Sequence, residues 1–185
     1  MIIALFGITC VGKTTVGKII SEKLGYEFYD LDEELKLYFN DTISNIQDSS
    51  FNRYGFDGKK GIVLKEIIGK CSENATIAVS PIYYTVNYNN LFKKNNVFSI
   101  VLQDTPENIV DRMIYTDDDD NIIEINLAEA ELKEELSDVK YFISRYKNAY
   151  SRIEHHYQIN GKTADEVADD IIKLYCICEG QILDG

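Results

Sequence analysis

Five strand-length segments rich in β-branched, aromatic or other apolar residues recur along the chain, at residues 2–6, 26–29, 76–79, 97–102 and 157–159. Between them apolar residues return every third or fourth position on a polar background. Val16, Ile19, Ile20 and Leu24 follow the first segment, Leu35 and Phe39 the second, and Ile109, Val110, Met113 and Ile114 the fourth. The longest stripe joins Val139, Phe142, Ile143, Tyr146, Ala149, Tyr150 and Ile153. That spacing predicts amphipathic helices. Thr105-Pro106-Glu107 puts proline at a first helical position, and Thr163 with Glu166 forms a capping box. His155 and His156 are read as the end of the long helix, where the dipole favours imidazolium. Strand and helix alternate throughout, so the prediction is an α/β fold of three layers, a five-stranded parallel sheet flanked by helices. A chain of 185 residues suits one core, and residues 1–185 are expected to form one domain.

Composition narrows the partners more than the fold. A formal net charge of −12 counts against nucleic-acid backbones and anionic membranes, both of which need a basic surface. No apolar run approaches the ~20 residues that cross a bilayer, and the opening MIIALFG lacks the basic start and cleavage site of a secretory signal, so a cytoplasmic protein is expected. Cys10, Cys71, Cys176 and Cys178 are too sparse for a disulfide framework, and the C-x-C near the end reads as helix packing rather than metal ligation. Any anion must therefore be held by a small local device.

Such a device stands between the first strand and the first helix. Gly7-Ile8-Thr9-Cys10-Val11-Gly12-Lys13-Thr14 fits G-x-x-x-x-G-K-[ST], a phosphate loop whose backbone N–H groups surround a nucleotide's phosphates. Lys13 is placed to reach the β- and γ-phosphates, and Thr14 to ligate Mg²⁺. Thr15 follows in the first turn, and the helix dipole points at the anion. The plain alternative is a glycine-rich turn with no ligand, but all four fixed positions and both flanking elements agree.

Asp30 and Asp32 end the second strand. Side chains alternate along a strand, so both carboxylates can project past its carboxyl edge, where open α/β sheets place ligands. One can serve Mg²⁺ and the other accept a hydroxyl proton. Helix capping explains one of them, not the pair.

With these residues in view, the chain resembles the shikimate kinases, small P-loop phosphotransferases of the nucleoside-monophosphate-kinase-like group. Gly12-Lys13-Thr14-Thr15-Val16-Gly17 reproduces the phosphate loop followed by T-x-G, and Leu24-Gly25-Tyr26-Glu27-Phe28-Tyr29-Asp30-Leu31-Asp32 looks like L-G-x-x-F-x-D-x-D. Thr42-Ile43-Ser44-Asn45-Ile46 is similar to the family's x-S-I-x-E-I-F segment. The resemblance implies ATP as donor with Mg²⁺, a phosphate loop at 7–14, an acceptor-binding region at about 32–70 and a lid at about 115–137. It assigns Asp30 to the metal, Asp32 to the acceptor and Arg112 to the adenine, although a solvated helix arginine is an equal alternative.

Departures concentrate on the acceptor side. Ser80-Pro81-Ile82 stands where the family has three glycines, and proline removes a donor while filling space. The family's F-R-x-x-E aligns best with Phe56-Asp57-Gly58-Lys59-Lys60, with the charges exchanged, while a shifted register puts Lys60 near the arginine's place; Lys60 and Ser80 are the candidate acceptor contacts. From 115 to 136 there is no arginine and one lysine, Lys133, where the family's lid brings an arginine to the phosphate. Arg145 and Arg152, two turns apart on the long helix, are the candidates to replace it. Arg145 also roughly matches the family's second carboxylate-binding arginine in R-x-P-L-Y, without the proline and with Tyr150 one place late, so the resemblance implies acceptor binding for it as well. Asp117-Asp118-Asp119-Asp120 reads as a solvated loop. Tyr83 and Tyr84 stand where they could stack on a ring, with packing as the alternative. The leading expectation is an ATP- and Mg²⁺-dependent kinase acting on a hydroxyl of a small molecule less acidic than shikimate, as a monomer or weak dimer. A nucleoside or nucleotide kinase and a nucleotide-binding protein without catalysis are the alternatives.

Overall fold

The structure, a computed structural model, describes residues 1–178 apart from 72–73, 84, 118, 120 and 126. Tyr84, Asp118, Asp120 and the Cys178 side chain thus lie outside the described residues. A central strand β1 (Ile2–Phe6) is buried at all five positions, as an unbroken apolar run requires when both faces are covered. It leads to α1 (Lys13–Leu24), β2 (Glu27–Asp30), α2 (Leu31–Phe39), α3 (Ile43–Asp48) and α4 (Arg53–Lys70). Next come β3 (Ala75–Ala78), α5 (Val86–Lys94), β4 (Val97–Gln103) and α6 (Pro106–Val110). A hairpin of β5 (Tyr115–Thr116) and β6 (Ile122–Ile123) precedes α7 (Glu129–Ala149), β7 (His155–Gln158) and α8 (Ala164–Cys178).

The main sheet is parallel, in the order β2-β3-β1-β4-β7, confirming the five expected strands within a few residues of their ends. The chain runs from β1 to one side and then from β4 to the other. The crevice beyond the carboxyl end of β1 is the switch point, where such sheets bind ligands.

Local chemistry fixes the elements around that crevice. Asn52 caps α4 by accepting from Gly55 N at 3.0 Å, which makes Arg53 the first helical residue. Gly17 lets α1 close on β2: a Cβ there would lie 2.7 Å from the Phe28 ring, an overpacking that costs about 1–3 kcal/mol. Lys23 bridges to Asp165 at 3.0 Å and Asp169 at 2.6 Å, tying α1 to α8.

The long helix ends earlier than the apolar stripe suggests. It stops at Ala149, Tyr150 leaves helical geometry, and Ile153 N donates to Tyr150 O at 3.0 Å in a turn. His155 and His156 therefore open the edge strand β7 rather than close a helix, and Arg152 stands off the helix that carries Arg145. The expected lid also contains structure, with the β5–β6 hairpin in its first part and the start of α7 in its second. Among the described residues no helix is long and apolar enough to cross a membrane.

Candidate active site

Residues 7–14 bend around the carboxyl end of β1. Gly7, Cys10 and Gly12 take φ of 141°, 59° and 106°, and a Cβ on Gly7 would lie 2.7 Å from Leu102 O. Glycine is required there by both backbone sign and space. No side chain caps α1 at Gly12, and its first turn holds no acidic residue, so its N–H groups remain for an anion. Thr15 is exposed on that first turn.

Lys13 curls back over the loop and donates to Ile8 O at 2.7 Å. It is buried, and burial pulls its pKa down to about 8 although Asp32 and Asp30 act in the other direction. A buried ammonium with one carbonyl partner, ringed by unengaged N–H groups, is a receptor for phosphate oxygens.

Thr14 donates its hydroxyl to Asp30 Oδ2 at 2.6 Å, while Asp30 Oδ1 accepts from Asp32 N at 3.0 Å. One carboxylate thus caps α2 and faces the phosphate loop, so the capping and metal readings of Asp30 are compatible. A hydroxyl and a carboxylate beside a phosphate site form the hard oxygen set that Mg²⁺ takes.

Asp32, in the first turn of α2, faces a cavity of about 900 Å³ whose walls include Thr9, Asp57, Lys60 and Ser80. Its carboxyl is pushed above the usual range, chiefly by burial and further by Asp30, against the pull of Lys60, Ser80 and Lys13. Lys60 Nζ donates to Pro81 O at 2.9 Å, and Asp57 Oδ2 accepts from Tyr83 N at 3.3 Å. The Ser80 hydroxyl favours the charged form of Asp32 by proximity yet is buried without a hydrogen bond. The Lys60 ammonium is depressed by its own burial, with Asp32 and Asp57 opposing.

The arginines are distributed otherwise than expected. Arg145 lies over Tyr83 and Tyr141, hydrogen-bonded to both hydroxyls, and is not in the cavity wall. Arg53 takes that wall instead, its guanidinium over the rings of Tyr83 and Tyr146 at 5.2 and 5.4 Å and bonded to the Tyr146 hydroxyl. It sits one helical turn before Asp57, on the same face of α4, and that i to i+4 spacing was the available signal. Tyr83 stacks on Tyr146 and does not stand open for a ring. Arg112, just past α6, bonds Asp104 Oδ2 at 2.5 Å, and the Asp104 side chain is fully buried. Thr116 and Ile122 bring the hairpin to the cavity's edge. Asp117 accepts from Asn121 N at 2.9 Å and Asp119 N at 3.0 Å, and these three residues are exposed. No group of acidic, histidine or cysteine side chains suited to a metal occurs among the described residues.

Residues 9–176 match the model of the shikimate kinase family. The chain belongs to that family. A shikimate kinase of Thermodesulfovibrio yellowstonii is 25% identical over 173 residues, 94% of each chain. Among solved structures, the fold is similar to shikimate kinase from Bacteroides thetaiotaomicron, with a TM-score of 0.77 and 17% identity over 95% of this chain and 98% of that one. It is also similar to the Acinetobacter baumannii shikimate kinase in complex with shikimate, with a TM-score of 0.73 and 24% identity over 95% and 93%. Family membership makes this protein a small-molecule kinase with a nucleotide-binding phosphate loop.

Proposed function

We propose that the protein, acting as one cytoplasmic kinase domain, transfers the γ-phosphoryl group of ATP to a hydroxyl of a small acceptor seated beside Asp32. The observation that carries this reading is the convergence of the phosphate loop, the Thr14–Asp30 pair and the acceptor cavity at the carboxyl ends of β1 and β2. The uncapped start of α1 and Lys13 bind the triphosphate. Thr14 and Asp30 are the residues that would hold Mg²⁺, which neutralises phosphate charge and orients the chain for displacement. Asp32 takes the hydroxyl proton as the acceptor oxygen bonds to the γ-phosphorus, the bond to the β–γ bridging oxygen breaks, and ADP leaves.

Positive charge near the reaction comes from Lys13 and Lys60, which are buried and therefore poorly screened. Arg145, engaged by two tyrosines, needs to change rotamer to join them. Arg112 supports the nucleotide region through Asp104 and retains an exposed face for an adenine. A monomer or weak dimer suffices, since the chain itself provides every group named. Calorimetric titration with ATP and Mg²⁺ tests the reading. Saturable binding that Lys13→Ala weakens is expected, and absence of binding at millimolar ATP would overturn it.

A further inference from the structure

We propose that the acceptor is an uncharged polyhydroxylated compound, gripped through a pair of neighbouring hydroxyls by Lys60, Asp57 and Ser80. The inference deepens the kinase reading and rests on its placement of Asp32 at the hydroxyl to be phosphorylated.

The three side chains are 6%, 8% and 4% exposed, and all line the same cavity. Each has bonding capacity left over. An ammonium has three donors, and Lys60 uses one on Pro81 O. A carboxylate has about four acceptor positions, and Asp57 receives one long bond from Tyr83 N. The Ser80 hydroxyl is buried beside the Asp32 carboxylate and makes no hydrogen bond of good geometry. Buried polar groups in that condition are costly unless a ligand completes them. The completing ligand must accept from Lys60 and Ser80 and donate to Asp57 from one small region. Neighbouring hydroxyls do this because each is both donor and acceptor.

Charge decides against an acid. Asp32, Glu33, Asp48 and Asp57 face Lys36, Arg53 and Lys60, so four carboxylates oppose three cations around the cavity. The Arg53 guanidinium is already held by the Tyr146 hydroxyl and two rings. A carboxylate entering here would lose its water against a wall with no excess of positive charge. A polyol meets no such opposition.

The test is a matched pair of ligands with the same ring hydroxyls: shikimate, and its analogue with the carboxylate reduced to a hydroxymethyl group. Both are titrated calorimetrically into the full chain, with and without ADP and Mg²⁺. The alcohol is expected to bind at least about tenfold more tightly than the acid. Lys60→Gln and Ser80→Ala should each weaken the alcohol by about tenfold. Ser80→Ala should keep its ADP affinity and melting temperature near wild type, which separates a lost contact from a lost fold. Tighter binding of shikimate, no detectable binding of the alcohol at 10 mM (about 2.7 kcal/mol of affinity), or variants that bind it as wild type does would each overturn the proposal. Failure of ADP to bind would strike the nucleotide reading alone, since the acid-to-alcohol ratio is still measured without it.

Discussion

Thr14 and Asp30 meet in a 2.6 Å hydrogen bond that joins the first turn of α1 to the end of β2. The same Asp30 holds the start of α2 through Asp32 N, so the phosphate loop and the carboxylate proposed as the base share one anchor. The two duties can be separated by substitution. Asp30→Asn keeps a good cap but loses the charge, so stability should stay within a few tenths of a kcal/mol while the Mg²⁺ concentration for half-maximal activity rises about tenfold or more. Asp30→Ala should show the same metal defect plus about 1 kcal/mol of lost stability in denaturant unfolding. Equal metal requirement in all three proteins would remove Asp30 from the Mg²⁺ site.

Lys13→Ala should weaken ATP binding by about 30-fold to several-thousand-fold, the range for losing one charge-assisted contact in a desolvated site. Calorimetry measures it directly. A change below about threefold would mean that Lys13 serves the loop's own shape through Ile8 O and little else.

The depressed pKa of Lys13 sets a pH signature. Free Lys13 loses its proton near pH 8, whereas bound phosphates favour the ammonium and raise its pKa in the complex. Above about pH 8 the complex therefore holds more protons than the free protein, and affinity must fall as pH rises, by up to about tenfold per unit. Titrations between pH 7 and 9.5 should show the decline. Lys13→Arg, which stays charged, should flatten it.

Asp32→Asn should leave ATP affinity within a few-fold and abolish transfer, because the amide takes no proton. In the wild type the acid limb of the rate profile should lie above the ordinary carboxylate range, since burial and Asp30 raise the Asp32 pKa. Transfer at the wild-type rate by the variant would reduce Asp32 to a structural role.

The layers and the phosphate loop were legible because their signals are local. An apolar run such as 2–6, a glycine pair at fixed spacing and a proline at a helix start each carry their cause within a few residues. The edge strand β7 was blurred because His-His-Tyr-Gln alternates between half-buried and exposed positions rather than forming an apolar run, and no glycine or proline marks the end of α7. Arg53 escaped for a different reason. Its place in the cavity wall depends on Tyr83 and Tyr146, which are 30 and 93 residues away, and on a helix start fixed by Asn52. The β5–β6 hairpin was hidden by the run of four aspartates between its strands, whose polarity speaks for solvent and is silent about strand pairing.

The stack of rings behind the cavity bounds how the segment proposed as a lid could move. Tyr83, Tyr146, Tyr150 and Phe6 follow one another at centroid distances of 5.5, 5.3 and 5.8 Å, so the second half of α7 is pinned to the strand that leads into the phosphate loop. Ahead of Val139 the same helix is largely exposed for ten residues, about 15 Å of its length at 1.5 Å per residue. The arrangement has the form of a lever, with its fulcrum beside the proposed site. A tilt of about 10° there would sweep the far end, and the hairpin joined to it, through about 3 Å, so closure of such a lid would need no hinge inside the helix.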